Sequence, residues 1–248
     1  MMGTRIHCSI KKQHLKRYDN HLSVGSWKFI EEFNVTNSIG QYRTTKHCYR
    51  ISFVKDTIVS NYVTVSDSEF LDLVRFSQIH EGIQNQSILC DVLGQIVNVG
   101  QLSTMHVNNK EAKKIDFELR DEHDMRLSCT LWGNFANQIL EATSKSETEK
   151  LICLIRFGKI KEFRDVKSVS NAFDASLVII NPSGSQIDNF VHTLPDDGLA
   201  LTVLETKPKK EILAKTEDYW NQFPMVTVAE LKELTKVQAA SEGYGYNK

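Results

Sequence analysis

Arg126-Leu-Ser-Cys-Thr-Leu-Trp132 is the stretch on which the reading of this chain turns. Apolar and polar residues alternate without interruption, the pattern of a strand with one buried face. Leu127, Cys129 and Leu131 therefore point into a core, while Arg126, Ser128, Thr130 and Trp132 point the other way. A tryptophan on the polar face of a strand calls for a reason beyond packing. The bland alternative is that it lies under a loop or under the element that follows.

Upstream, Ile115–Leu119 repeats the alternation, and downstream Phe135, Ile139, Leu140 and Thr143 predict a helix over Phe135–Ser144. Further strands are expected at Arg5–Ile10, Trp27–Phe33, Gln41–Phe53, Ile88–Val99, Leu151–Ile160 and Ser176–Ile180, with a short helix over Glu69–Phe76. The four prolines all follow residue 181, and composition changes at Asn181-Pro182-Ser183-Gly184-Ser185. The chain thus divides into a β unit over 1–65, a linker over 66–87, a second β unit over 88–182 and a polar remainder over 183–248. In that remainder Thr227-Val-Ala-Glu230 is a capping box opening an amphipathic helix through Leu231 and Leu234.

The two β units are related. Arg5-Ile-His-Cys-Ser-Ile-Lys11 matches Arg126–Trp132 in residue type at every position but the third and last, which points to duplication.

Composition bounds the function. The 248 residues are 41% apolar, enough for a buried core, and no apolar run approaches the roughly 20 residues needed to span a bilayer. Five cysteines without a Cys-x-x-Cys pair signal neither a disulfide scaffold nor a zinc ribbon. Net charge is −1, but it averages +6 over residues 1–65 with −4 over 66–182 and −3 over 183–248. The total therefore does not exclude a polyanionic partner. Eight histidines lack metal-ligand spacing, Asp121-Glu-His-Asp124 has turn composition, and Lys207-Pro-Lys-Lys210 reads as a solvated charge run. Neither a phosphate loop nor a nucleophile motif is present.

Strand parity then groups the chemistry. Lys159, Lys161 and Phe163 share one face, opposite Gly158, Ile160 and Glu162; Tyr42, Thr44 and Lys46 share another. Single-stranded nucleic acid presents flat bases and regularly spaced phosphates, so its binders interleave stacking aromatics with cations. Asp116 and Glu118 lie on the polar side of the strand next to Trp132, would repel phosphate, and are expected to sit away from such a groove.

In the second unit Asp91-Val-Leu-Gly-Gln-Ile-Val, Asn108-Asn-Lys-Glu-Ala-Lys-Lys114, Cys129-Thr-Leu-Trp-Gly133, Lys159-Ile-Lys-Glu-Phe163, Lys167-Ser-Val-Ser170 and Ile179-Ile-Asn-Pro182 occur in one order over roughly 90 residues. These segments resemble the DNA-binding region of the replication protein A large subunit, above all its plant-type paralogues. The resemblance implies an all-β architecture of two tandem OB folds, five-stranded Greek-key barrels that bind oligonucleotides, with a helical or irregular C-terminal tail. It places the base-stacking aromatics at Trp132 and Phe163 and phosphate contacts at Lys110, Lys114 and Lys159, to which parity adds Lys161 and Arg126. Tyr42, Arg43 and Lys46, in Gly40-Gln-Tyr-Arg-Thr44, extend the path on the first unit. There the position of Trp132 is taken by Lys11, and only four residues precede Arg5, so an incomplete first barrel is expected. Phe223–Val237 looks like the lead-in to a zinc-bearing third domain, and the chain is expected to be truncated at both ends.

These features imply a non-enzymatic, sequence-independent binder of single-stranded DNA in replication, repair or recombination, nuclear, without cofactor, metal or membrane. Other replication protein A subunits or repair proteins are candidate partners. The alternative is a paralogue, of transposon origin or not, serving as a protein-interaction module with weak or no DNA binding.

Overall fold

The computed structural model describes residues 4–66, 68–107, 110–145, 150–172, 175–199 and 201–203, without the side chains of Val107 and Lys110. All lie in the first of two compact units, residues 1–205. The helix expected after Thr227 and the segment Phe223–Val237 lie outside the described residues.

The N-terminal part comprises β1 (His7–Ser9), α1 (Lys12–Tyr18), β2 (Lys28–Glu31), β3 (Asn34–Asn37), β4 (Tyr49–Ser52) and β5 (Ile58–Asn61). β1 runs parallel to β4, β3 antiparallel to it, and β2 pairs with β5 in a separate sheet. Most of these side chains are exposed, so burial alone contributes little here. A small core stands in: Tyr18 meets Phe53 edge to face at 5.0 Å, both 2% exposed, and the Tyr18 hydroxyl donates to the carbonyls of Val54 and Thr57. Among the described residues these strands form two separate sheets.

After α2 (Phe76–His80) come β6 (Cys90–Val99), β7 (Ser103–Val107), β8 (Lys110–Arg120), β9 (Arg126–Trp132), α3 (Asn134–Lys145), β10 (Ile152–Phe163), β11 (Val166–Asn171) and β12 (Leu177–Ile180). β10, β11, β9, β8 and β6 are neighbours in that order, and β10 also pairs with β6, which closes a five-stranded barrel. β9 and β11 are its parallel pair. The duplication read from sequence recurs in three dimensions, since β1 and β9 each lead into a helix and each pair in parallel with a later strand.

Ile115, Phe117, Leu119, Leu127, Cys129, Leu131, Ile160 and Val169 fill the barrel, each at most 3% exposed. Phe76 and Ile79 of α2 join this core. Their approach requires Gly94, where a Cβ would stand 2.8 Å from the Leu119 side chain and 3.0 Å from the Phe76 ring. β6 is buried almost throughout because both its faces are covered: Val92 and Ile96 turn inward, while Leu93 turns outward under α4 (Ser185–Thr193). Polar flanks hide this helix in the sequence, yet Ile187, Phe190 and Leu194 follow the spacing i, i+3, i+7 and pack on Leu93, Ile152 and Leu154. The chain then adds β13 (Thr202–Val203) in parallel to β6, and Arg120, with no exposed surface, pairs with Asp197 beyond α4.

Three local expectations need correction. Glu69–Arg75 is not helical, with Phe70 at φ +49, and α2 begins where the expected helix ended. Backbone bonding to the barrel explains this, with the amides of Asp72 and Val74 donating to the side chain and the carbonyl of Asp91. Within Gln41–Phe53 only Tyr49–Ser52 is a strand, because Arg43 is drawn to the barrel instead, its amide donating to Ser87 and its carbonyl accepting from Leu89. Finally, β3, β5, β7, β11 and β13 are strands that the alternation does not announce, each being short or polar.

Candidate nucleic-acid interface

Inter-strand register carries the parity argument across the sheet. On β8 and β9, Lys114 lies opposite Trp132 and Asp116 opposite Thr130. Ser170 on β11 lies beside Thr130, and on β10 Lys159 faces Ser170, Lys161 faces Ser168, and Phe163 faces Val166. One continuous outer face therefore carries Lys114, Trp132, Thr130, Lys159, Lys161 and Phe163.

Trp132 is half-buried at the centre of this face. Its amide donates to Asn171 Oδ1 at 2.9 Å, and Gly133 follows with φ +66, a left-handed turn that sends the chain into α3. The ammonium groups of Lys114 and Lys161 both lie 5.9 Å from the Trp132 ring centroid. Burial, then the proximity of Lys159 and Lys114, holds the Lys161 ammonium below the ordinary lysine range. Lys114 and Lys161 beside one aromatic, with Lys159 near Lys161, repel each other, and a phosphate placed among them relieves that repulsion.

Phe163 is 73% exposed at the tip of the β10–β11 hairpin. The two connecting residues, Arg164 and Asp165, have φ of +50 and +62, the geometry that turns a tight hairpin with the right twist. The Arg164 guanidinium stands 5.1 Å from the Phe163 ring. Sequence reasoning missed this cation, although its place at the turn next to Phe163 was a signal.

The N-terminal part adds to the same face. Pinned by Arg43, Tyr42 lies against Lys159, whose Nζ is 3.8 Å from the ring centroid. No strand periodicity could have shown this.

Other expected members lie elsewhere. Arg126 pairs with Asp124 at 2.9 Å, six residues and so about 20 Å along β9 from Trp132. Lys46 pairs with Asp72 at 2.9 Å, away from the lysine cluster. Lys110 opens β8, but its side chain lies outside the described residues. Asp116 is the main correction. It does not sit away from the groove: it takes an ion pair from Lys114 at 2.8 Å and a hydrogen bond from Thr130 Oγ1 at 2.6 Å. Alternation put it on the Trp132 face, and the lysine that neutralises it stands two residues away on the same strand. Glu118, farther along β8, accepts from Asn98.

Comparison with known proteins fits this geometry. Residues 77–181 match the family model described as replication protein A OB domain, which covers the barrel and its cluster of lysines and aromatics. The barrel is similar to a replication protein A OB domain. Residues 1–82 match a domain of unknown function, DUF223. The chain is 28% identical over 180 residues to the replication protein A 70 kDa DNA-binding subunit of Drosophila melanogaster, an alignment covering 70% of this chain and 28% of that protein. A replication protein A 70 kDa DNA-binding subunit of rice, Oryza sativa subsp. japonica, is 25% identical over 193 residues, 75% of this chain and 20% of that one. The chain thus spans under a third of these relatives. A replication protein A heterotrimer bound to single-stranded DNA superposes with TM-score 0.54 at 20% identity, over 82% of this chain and 46% of that chain, which shows the shared OB architecture.

Proposed function

We propose that this chain binds single-stranded DNA without sequence preference, in the setting of DNA replication and associated repair, as a binder and not a catalyst. The observation that carries the reading is Trp132 flanked by Lys114 and Lys161 on the open face of a barrel similar to a replication protein A OB domain. Trp132 and Phe163 stack on bases, each worth about 1–3 kcal/mol. Lys114, Lys159 and Lys161 neutralise phosphates, and Tyr42 lengthens the platform. The 70 kDa relatives support a nuclear location and a place beside other replication protein A subunits or repair proteins. The shared face of Lys114, Lys159, Lys161, Trp132 and Phe163 speaks against a pure protein-interaction module.

Fluorescence anisotropy with labelled oligo-dT tests the reading. Log affinity is expected to fall with log salt by about 0.7 per phosphate contacted. A Trp132→Ala/Phe163→Ala double variant should bind at least tenfold more weakly, and wild-type affinity in that variant would sink the assignment.

A further inference from the structure

Three rows of side chains cross the outer face around Trp132. In one row Lys114 stands opposite Trp132. Asp116, Thr130, Ser170 and Lys159 are in register in the next. Lys161, opposite Ser168, belongs to a third row on the far side of the second. The two ammonium groups that approach the indole come from the outer rows, and each stands 5.9 Å from its centroid. The ring therefore leans over the middle row, with the Asp116 carboxylate at its edge. Both cations feel that carboxylate: Lys114 pairs with it at 2.8 Å, and its charge favours the Lys161 ammonium.

A base stacked on the indole turns its hydrogen-bonding edge toward whatever borders the ring. The ammonium groups are undiscriminating donors, because every base carries a carbonyl or ring-nitrogen acceptor. Asp116 differs, since an ionised carboxylate only accepts. Thr130 Oγ1 holds its Oδ1 at 2.6 Å and Lys114 holds its Oδ2, while 57% of the side chain stays exposed. With about four lone-pair sites, a carboxylate fixed by two donors keeps the capacity to accept again. Cytosine offers it the N4 amino group; thymine has the O4 carbonyl in that place, which a carboxylate repels. We infer that Asp116 gives the Trp132 subsite a preference for bases with an exocyclic amino donor, and so for cytosine over thymine among the pyrimidines. This rests on the single-stranded DNA reading. It adds a mild bias in base composition at one subsite of a stacking platform that otherwise tolerates any base.

The test compares oligo-dC with oligo-dT of about 8 nucleotides on the full chain, by fluorescence anisotropy at mildly alkaline pH, where cytosine is unprotonated. Wild type should bind oligo-dC about fivefold more tightly, the size of one exposed hydrogen bond. Asp116→Asn should bring the two within about twofold, chiefly by tightening oligo-dT; the side chain is exposed, so the barrel tolerates the change. On the ligand side, replacing cytosine by 2-pyrimidinone, which lacks only the amino group, should remove the advantage in wild type. Equal wild-type affinities, or tighter oligo-dT, overturn the inference. So does a cytosine preference that persists in Asp116→Asn or with the 2-pyrimidinone strand, because its source would then be stacking. Trp132→Ala/Phe163→Ala run alongside separates the readings. Undiminished binding of both strands there removes the groove itself, whereas a loss for both without a wild-type preference for cytosine removes only the role of Asp116.

Discussion

Arg5, at the start of the chain, donates through Nη1 to Oδ2 of Asp91 on the barrel strand β6 at 2.9 Å. Asp91 has no exposed surface, and it also accepts from the amides of Phe157 and Asp72, at 3.1 and 3.3 Å, with Arg156 Nε at 3.6 Å. Arg5 lies in turn 4.8 Å over the Phe157 ring, a residue held at φ +53 beside an irregularity in β10. One buried carboxylate thus ties the N-terminal part, the linker and the barrel together.

Removing the arginine tests that tie. In Arg5→Ala, Asp91 keeps Arg156 and two amides, so the barrel should survive with a loss of about 1–3 kcal/mol. Limited proteolysis should then release the N-terminal part faster than wild type and leave the barrel protected. Asp91→Ala should cost about 3–5 kcal/mol, because it strands two arginines with no carboxylate. Equal melting temperatures for Asp91→Ala and wild type would contradict this account.

Asp116 restrains the groove. A phosphate that contacts Lys114 must compete with this carboxylate, 2.8 Å away. Asp116→Asn should tighten oligo-dT binding by about 0.5–1 kcal/mol and steepen the salt dependence by roughly 0.7, one added phosphate contact. Salt titrations of both proteins measure it, and a weaker or unchanged variant would show that Asp116 helps position Lys114 instead.

Lys161 sets a pH dependence. Its folded pKa is lowered by burial and by Lys159 and Lys114, so above that value the folded state holds fewer protons than the unfolded one. Keeping Lys161 charged therefore opposes folding at neutral pH, and the opposition fades as pH rises through the lowered pKa toward the usual lysine value. Phosphate binding reverses the shift. Affinity for oligo-dT should fall through this alkaline window with proton uptake on binding, seen as buffer-dependent heat in calorimetry. In Lys161→Met the extra uptake should vanish.

Acid acts at the opposite end of the barrel. Hydrogen bonding to Arg120 lowers the Asp197 carboxyl from 3.8 to about 2, a contribution present above the unfolded value and lost as pH falls through about 2. Below pH 4, protection of the α4 region in hydrogen exchange should drop before that of β8 and β9. Asp197→Asn should show the same early loss already at neutral pH, since it leaves buried Arg120 with Gln95 and a weaker ion pair to Asp124.

Where alternation is strong, local reading and structure agree: β9 spans the seven residues of Arg126–Trp132, and α3 covers the expected helix with one residue added at each end. Where long-range bonding competes, local reading loses, as at Glu69–Arg75 and at Gln41–Lys46, whose backbones bond to β6 and to residues just before it. Ile187, Phe190 and Leu194 are legible in principle and are masked by the polar residues around them.

The face on which Trp132, Lys159, Lys161 and Phe163 lie was determined by the sequence alone, because alternation along a strand is a steric property of each residue and its neighbours. So was the inward set Ile115, Phe117, Leu119, Leu127, Cys129 and Leu131 on β8 and β9. Only the tertiary structure decided that Lys114 and Lys161 flank one ring and that Tyr42 adjoins their face through Lys159. Those contacts depend on inter-strand register and on the backbone bonds of Arg43 to Ser87 and Leu89. Partners so distant in the chain leave no periodic trace in it.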